Sequence, residues 1–434
     1  MAEGLPLLLR IYRLAMTAAT PIAPLLLSYR LRSGKEDRSR LAERRGQPAI
    51  PRPAGPLIWL HGASVGEITA VLPLIERVRA EGFQVLVTSG TVTSAELAQQ
   101  RLPAGAIHQY VPHDAPPFVD AFLNHWHPDL ALFVESDLWP NLVLGCADRK
   151  IPLLLLNGRL SHRSFSRWKL APRAIRTLLR RFELCLTQSP TDAERYAKLG
   201  GPRVIMTGNL KLDVPAPPAN FGELQAIKAT TEDRTVIAAA STHPGEETAI
   251  IDAHRRLSPL FPGLLTIIVP RHPNRGHAVA ELASSAGLSV SLRSIGQHPN
   301  AQSDVYVADT VGELGLIYRL APIVFMGGSL VPHGGQNPIE AAKLGTAILH
   351  GPHVWNFTDI YSALDEAHGA VPVTNAEMLV ARLADWLEDN GKRQQAADAA
   401  RRTVDALGGA LERTLEALRP YLVKIRPALR SRDA

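Results

Sequence analysis

The chain has 434 residues, 46% of them hydrophobic and 20% charged, which is enough for two cores of ordinary domain size and excludes wholesale disorder. A formal net charge of +6 suits an anionic partner: a phosphorylated substrate, a membrane surface or nucleic acid. Cys146 and Cys185 stand far apart, which excludes a disulfide framework or a cysteine zinc site and fits a reducing compartment.

Residues 4–27 are mostly apolar but are interrupted by Arg10, Arg13, Pro21 and Pro24. An unbroken span needs about 20 apolar residues, and this stretch falls short. Arg30, Arg32, Lys35, Arg38, Arg40, Arg44 and Arg45 follow. One apolar anchor beside a basic patch is the pattern of a segment held on the cytoplasmic side of a membrane, against anionic headgroups. A signal-anchor, an interfacial helix and a cleaved signal peptide all stay open, although no convincing small-residue cleavage site is present. The plainer alternative is a buried N-terminal helix with a solvated basic face.

Pro51-Arg52-Pro53-Ala54-Gly55-Pro56 reads as the linker out of this segment. Strands are then expected at 57–60, 85–88, 130–134, 153–156, 184–187 and 204–207, with helical patterns between several of them, such as 67–81 and 192–199. The Pro-rich stretch 214–220 is a stiff break. The pattern restarts with strands at 236–240, 264–269, 305–307, 323–326 and 347–349, helices at 246–257, 338–344 and 376–390, and a long terminal helix over 401–421. Short apolar runs separated by helices predict parallel sheets with crossover connections. The expected organisation is an anchor and basic juxtamembrane segment over 1–50 and a Rossmann-like domain over 51–213. A second such domain covers 214–434, with the terminal helix free to pack back on the first. Ligands are expected at strand ends, in a cleft between the two domains.

Two acidic motifs close apolar runs. The first is His61-Gly62-Ala63-Ser64-Val65-Gly66-Glu67, in which the glycines allow close backbone approach. Ser64 and Glu67 also fit a helix capping box, so function and capping compete evenly. The second is Glu135-Ser136-Asp137-Leu138-Trp139-Pro140-Asn141. Carboxylates beyond an all-apolar strand are costly to bury unpaired and so need partners or a task. The alternative is a loop that caps the next helix through Asp137 or Asn141. Asn157-Gly158-Arg159 and Gly208-Asn209-Leu210-Lys211 also end strands. Lys211 is either a group that meets developing phosphate charge or a solvated loop cation.

In the second half, Ser241-Thr242-His243-Pro244-Gly245-Glu246-Glu247 forms a strand-to-helix turn, read either as an anion site at a helix N-terminus or as a helix with acids in its first turn. Pro270-Arg271 ends another strand, where Arg271 suits a phosphate clamp. Met326-Gly327-Gly328-Ser329, followed by His333-Gly334-Gly335-Gln336-Asn337-Pro338-Ile339-Glu340, surrounds a helix start with glycines. Asn337 suits capping, Pro338 the first turn, and Glu340 a ribose hydroxyl, while the amides suit a phosphate. No P-loop and no convincing dinucleotide fingerprint occurs, which weakens ATPase and dehydrogenase readings.

Taken in order, these motifs resemble the lipid A Kdo transferases, glycosyltransferase family 30, which add 3-deoxy-D-manno-octulosonic acid (Kdo) from CMP-Kdo to a lipid A precursor. The resemblance covers almost the whole chain and implies the α/β GT-B fold, two Rossmann-like domains facing across a cleft. It implies that Glu67 is the catalytic base and that Glu135 and Lys211 support the transition state. It further implies that Pro270, Arg271, Val311, Gly312, Glu313, Asn337, Pro338, Ile339 and Glu340 contact CMP. Asp137 departs from the family pattern, where Glu is frequent, and its role is left open. The single phosphate of CMP leaves no diphosphate for a metal to manage, so neither metal nor cofactor is expected. Direct attack by the acceptor hydroxyl implies inversion. The implied partners are CMP-Kdo, a phosphorylated glycolipid acceptor (lipid IVA) and anionic lipids of the inner membrane on its cytoplasmic side, with no nucleic acid. The rivals are another GT-B transferase using a UDP-sugar, and a non-catalytic glycolipid-binding protein.

Overall fold

A computed structural model describes residues 4–426. The chain divides into two compact units. The first runs to Val214 and takes in the chain again from Gly408; the second is Pro215–Leu407.

The first unit holds a seven-stranded parallel sheet of β1 (Leu57–His61), β2 (Gln84–Ser89), β3 (Ile107–Tyr110), β4 (Leu130–Val134), β5 (Leu153–Gly158), β6 (Leu184–Thr187) and β7 (Val204–Met206). Their order is β3-β2-β1-β4-β5-β6-β7. β1, β4, β5 and β6 are buried throughout, because helices cover both faces. One face packs Trp59, Phe122, Trp126, Phe133 and Phe182, and the other Ile58, Leu60, Val71, Leu132 and Leu156.

The second unit repeats the plan with β8 (Val236–Thr242), β9 (Leu265–Pro270), β10 (Val290–Leu292), β11 (Val305–Val307), β12 (Ile323–Met326), β13 (Ala347–His350) and β14 (Ala370–Pro372). The order is β10-β11-β9-β8-β12-β13-β14, again all parallel. The strand order reverses between β1 and β4 in the first sheet and between β8 and β12 in the second. Open α/β sheets hold ligands at such a reversal, outside the carboxyl ends of the strands.

Two expectations need correction. The terminal helix expected over 401–421 is two helices, Asn390–Ala406 and Ala410–Ile425. Gly409, at φ 85°, turns the chain where a side chain would be strained, and the Asp213 carboxylate accepts from the amides of Gly409 (2.6 Å) and Leu411 (2.5 Å). The second helix therefore belongs to the first unit, where Leu415, Leu418 and Leu422 join its core.

The basic stretch after the N-terminal apolar segment is not wholly solvated. Arg44 is 3% exposed and donates from Nε to Glu36 Oε2 at 2.8 Å, while Arg30 holds the other oxygen of Glu36 at 2.7 Å. The apolar segment itself is two helices, Leu7–Ala18 and Ala23–Arg32, with a short 3-10 turn between. No single described helix is long and apolar enough to cross a membrane. The pair, bent by 41°, has the length and composition of a broken span.

Candidate active site

β1 delivers the first acidic motif to the strand-order reversal. Ser64 is extended and caps the helix Val65–Ala80, its hydroxyl accepting from Glu67 N at 3.3 Å. The Glu67 carboxylate returns to the turn: Oε1 accepts from the Ser64 hydroxyl and Oε2 from Ala63 N, each at 2.7 Å. A Cβ on Gly62 would stand 3.2 Å from both Glu67 Cβ and Ile68 Cδ1, so glycine lets the turn close over the helix start. Capping and placement are therefore one device, and Glu67 stays half-buried. Burial, and then the charges of Asp137 and Glu135, push its carboxyl up to about 7, against the opposing pull of Ser64 and Ala63.

β4, the neighbour of β1 across the reversal, delivers the second motif. Glu135 adopts φ 61°, a conformation unusual for a side-chain-bearing residue. Its amide donates to Leu156 O at 2.9 Å and its carbonyl accepts from Tyr196 Oη at 3.0 Å. Its Oε1 lies 2.5 Å from Lys211 Nζ, with both side chains mostly buried. Lys211 sits on the 3-10 turn Leu210–Leu212, fixed by Asn209 Oδ1 on Lys211 N (3.0 Å) and Asn157 Oδ1 on Leu210 N (2.9 Å). Glu67 follows β1, Glu135 and Asp137 follow its neighbour β4, and Lys211, on the turn after β7, reaches Glu135 at the same carboxyl edge of the sheet. Asp137 is raised to about 6 by burial, with Glu135 adding to it and the Trp139 indole N–H pulling against it.

Reading from sequence gave no role to His61, Thr88 or Gln188. Fully buried His61 meets Thr88 Oγ1 at 2.9 Å through Nδ1, and Trp59 Nε1 donates to the same oxygen at 2.9 Å. Gln188 donates to Asn157 O at 3.0 Å and reaches Glu135 Oε1 at 3.5 Å. Gln188 directly follows β6, so the strand-end rule that found Glu135 also reaches it.

In the second unit the expected nucleotide contacts follow the carboxyl ends of β9, β11 and β12 of one sheet. Pro270 is the buried last residue of β9; Arg271 is exposed, with its amide donating to Thr242 O at 2.9 Å. Val311 is 70% exposed and Gly312 takes φ 85° in the loop after β11. Glu313 is held by Arg293 and by the Thr310 hydroxyl, and the hydrogen bonds from Arg293 lower its carboxyl against the effect of burial. Asn337 Oδ1 accepts from Ile339 N at 3.1 Å, Pro338 and Ile339 are buried, and Glu340 is half-buried in the first turn of the helix Ile339–Lys343.

The glycine loop after β12 needs a correction. The amides of Gly328 (2.7 Å), Ser329 (2.9 Å) and Leu330 (3.0 Å) are not open to a phosphate, because buried Glu246 accepts from them, as it does from His243 N (2.9 Å) in the turn after β8. Buried Glu247 accepts from Thr242 Oγ1 (2.9 Å) and Arg275 Nη1 (2.5 Å). The start of the helix Glu246–Leu257 carries its own negative charge, so of the two readings of that turn the acidic first turn describes it. Beside the loop, His243 stacks on His333 with centroids 4.1 Å apart. Burial, then His333, His272 and Arg271, lower its imidazole to about 4. Among the described residues no group of three or more His, Cys, Asp or Glu is placed to hold a metal ion.

A sequence model described as 3-deoxy-D-manno-octulosonic-acid transferase (kdotransferase) matches residues 39–214. The chain is 34% identical over 394 residues to the 3-deoxy-D-manno-octulosonic acid transferase of Haemophilus influenzae, covering 89% of this chain and 92% of that one. It is 36% identical over 371 residues to a probable mitochondrial 3-deoxy-D-manno-octulosonic acid transferase of Arabidopsis thaliana, covering 83% of each. Among solved structures, a glycosyltransferase from Rickettsia africae is similar with a TM-score of 0.58 at 14% identity, over 85% of this chain and 99% of that one. That last likeness is one of fold, of the GT-B type with two Rossmann-like α/β units in one chain.

Proposed function

The chain belongs to the 3-deoxy-D-manno-octulosonic acid transferase family, and from that premise we propose that it moves Kdo from CMP-Kdo to a lipid A precursor, lipid IVA, in lipopolysaccharide core biosynthesis. It is a glycosyltransferase; donor, acceptor and residue roles are our assignment. The observation that carries them is the Glu67 carboxyl, poised near neutrality at the strand-order reversal beside Glu135 and Lys211.

A sugar hydroxyl is a weak nucleophile at neutral pH. Glu67 takes its proton as the oxygen attacks the anomeric carbon of Kdo, a step for which a positioned base supplies roughly 10²–10⁴-fold. The C–O bond to CMP breaks on the opposite face, the electron pair leaves with the phosphate, and the centre inverts. Lys211, oriented by Glu135, stabilises charge developing in that transition state. In the second unit Pro270 and Arg271, Val311, Gly312 and Glu313, and Asn337 through Glu340 hold CMP, with Arg271 on the phosphate.

Localisation follows the same reading: the inner membrane, from its cytoplasmic side, in contact with anionic lipids. Leu7, Leu8, Ile11 and Leu14 on the first helix, and Leu25, Leu26 and Tyr29 on the second, are exposed, an apolar surface that suits insertion into a headgroup region.

The test is Glu67→Ala with CMP-Kdo and lipid IVA, the product read by mass spectrometry. Loss of transfer with CMP binding retained by calorimetry supports the reading. Near-normal turnover removes Glu67 as base, and preferential use of a UDP-sugar by the unaltered enzyme removes the donor assignment.

A further inference from the structure

No Asp or Glu occurs between Asp148 and Glu183, while Lys and Arg recur throughout that stretch. Its centre is the helix His162–Lys169, none of whose residues is buried. Phe165 and Trp168, one turn apart, pack against the core and fix which side faces inward. Arg163 and Arg167, four residues apart, are exposed, as is Lys169, which lies over the Phe165 ring at 5.6 Å.

Like charges at this spacing destabilise a helix, and no acid offsets them here. None of Arg163, Arg167 and Lys169 has a carboxylate within ion-pair distance among the described residues. The repulsion is relieved when an anion lies between them.

The position of the helix says which anion. It starts four residues after Gly158, the end of β5, and β5 pairs with β4 in the register Leu156 to Val134. Glu135 is the next residue of β4's chain, and Asn157 of β5 fixes the turn that carries Lys211. The cationic helix therefore rises from the same sheet edge as the proposed base. On the reading above, the acceptor that reaches this edge is a phosphorylated glycolipid.

We propose that Arg163, Arg167 and Lys169 form the acceptor-recognition site of this enzyme, binding a phosphate monoester of the glycolipid and so bringing its sugar hydroxyl to Glu67. The proposal rests on the Kdo-transfer reading. The guanidinium groups suit it, since their planar forks bond two phosphate oxygens at once, and their exposure leaves room for a membrane-borne ligand.

The experiment measures steady-state transfer from CMP-Kdo to lipid IVA dispersed in neutral detergent, comparing the full-length enzyme with the triple variant Arg163→Gln, Arg167→Gln, Lys169→Gln. The expected result is a rise in acceptor KM on the order of tenfold or more, with the donor KM unchanged. Enzymatically dephosphorylated acceptor should raise the unaltered enzyme's KM to the variant's value and leave the variant's unchanged. An acceptor KM equal in both proteins overturns the proposal, as does a variant that loses only its binding to anionic phosphatidylglycerol vesicles, which would assign the cations to bulk lipid. Circular dichroism and an unchanged donor KM guard against misfolding. If the unaltered enzyme transfers no Kdo, the broader reading fails; if it transfers Kdo and the variant matches it, only this site does.

Discussion

Nε2 of His61 lies 3.7 Å from Oδ2 of Asp137, and neither buried atom has a hydrogen-bond partner among the described residues. Burial holds the imidazole down to about 4, so His61 is neutral near pH 7 and gives Asp137 no countercharge. Asp137, at about 6, is then mostly ionised and raises Glu67. The base form of Glu67 forms as pH rises through about 7, so kcat/KM should climb with pH across that range. Asp137→Asn removes a negative neighbour, which makes Glu67 easier to deprotonate. The acidic limb of the pH–kcat/KM profile should move to lower pH, by roughly one unit. An unmoved limb, with turnover retained, would show that Asp137 does not set the base.

Lys211 neutralises Glu135 at 2.5 Å, and both side chains are mostly shielded from water. Lys211→Ala leaves Glu135 uncompensated beside Glu67 and removes a cation from the proposed reacting centre. We expect kcat to fall by roughly 10²–10³, the range for losing one electrostatic stabiliser. The acidic limb should also move upward, because the freed charge of Glu135 further disfavours ionisation of Glu67. CMP binding, measured by calorimetry, should be unchanged.

The strands most legible in the sequence were the buried central ones, β1, β4 and β5, whose apolar runs admit one interpretation. β3, β10 and β14 were not foreseen. They are short, and Ile107-His108-Gln109-Tyr110 mixes polar residues that are held by tertiary contacts: His108 meets Ser89 and Gln109 bonds Trp126. Glu67 and Glu135 were legible because a carboxylate after an apolar strand is chemically conspicuous. The partner of Arg44 was not, because a cation drawn inward looks the same in sequence as a solvated one. The role of Glu246 also escaped, since its bonds to the 328–330 amides join segments some eighty residues apart.

Glu246 offers a test of how the second unit is held. Its two oxygens accept from four amides around the glycine loop. Glu246→Gln turns one acceptor oxygen into a donor that faces N–H groups, leaving buried amides unsatisfied at about 1–3 kcal/mol each. Stability should drop by a few kcal/mol in urea unfolding, and CMP affinity should weaken as the loop before Asn337 loses its template. Unchanged stability would mean that the loop holds itself.

The last prediction concerns the N-terminal segment. Arg44 bonds Glu36 Oε2 at 2.8 Å, Gly90 O at 2.7 Å and Val111 O at 3.2 Å, with the Arg44 and Glu36 side chains nearly out of water. Gly90 in turn donates to Ala63 O at 3.2 Å, one residue before the Ser64 cap of the Glu67 helix. The segment is thus tied through Arg44 to the turn that holds Glu67, the proposed base. Glu36→Ala leaves a buried cation without its partner, and breaking such a pair costs about 3–5 kcal/mol. Arg44→Leu with Glu36→Leu removes both charges and should recover much of that loss, although the carbonyls of Gly90 and Val111 lose their donors. Urea unfolding of the two variants decides it. A single Glu36→Ala change as harmless as a surface substitution would mean that Arg44 finds water instead, and that the N-terminal segment is not locked to the turn below Glu67.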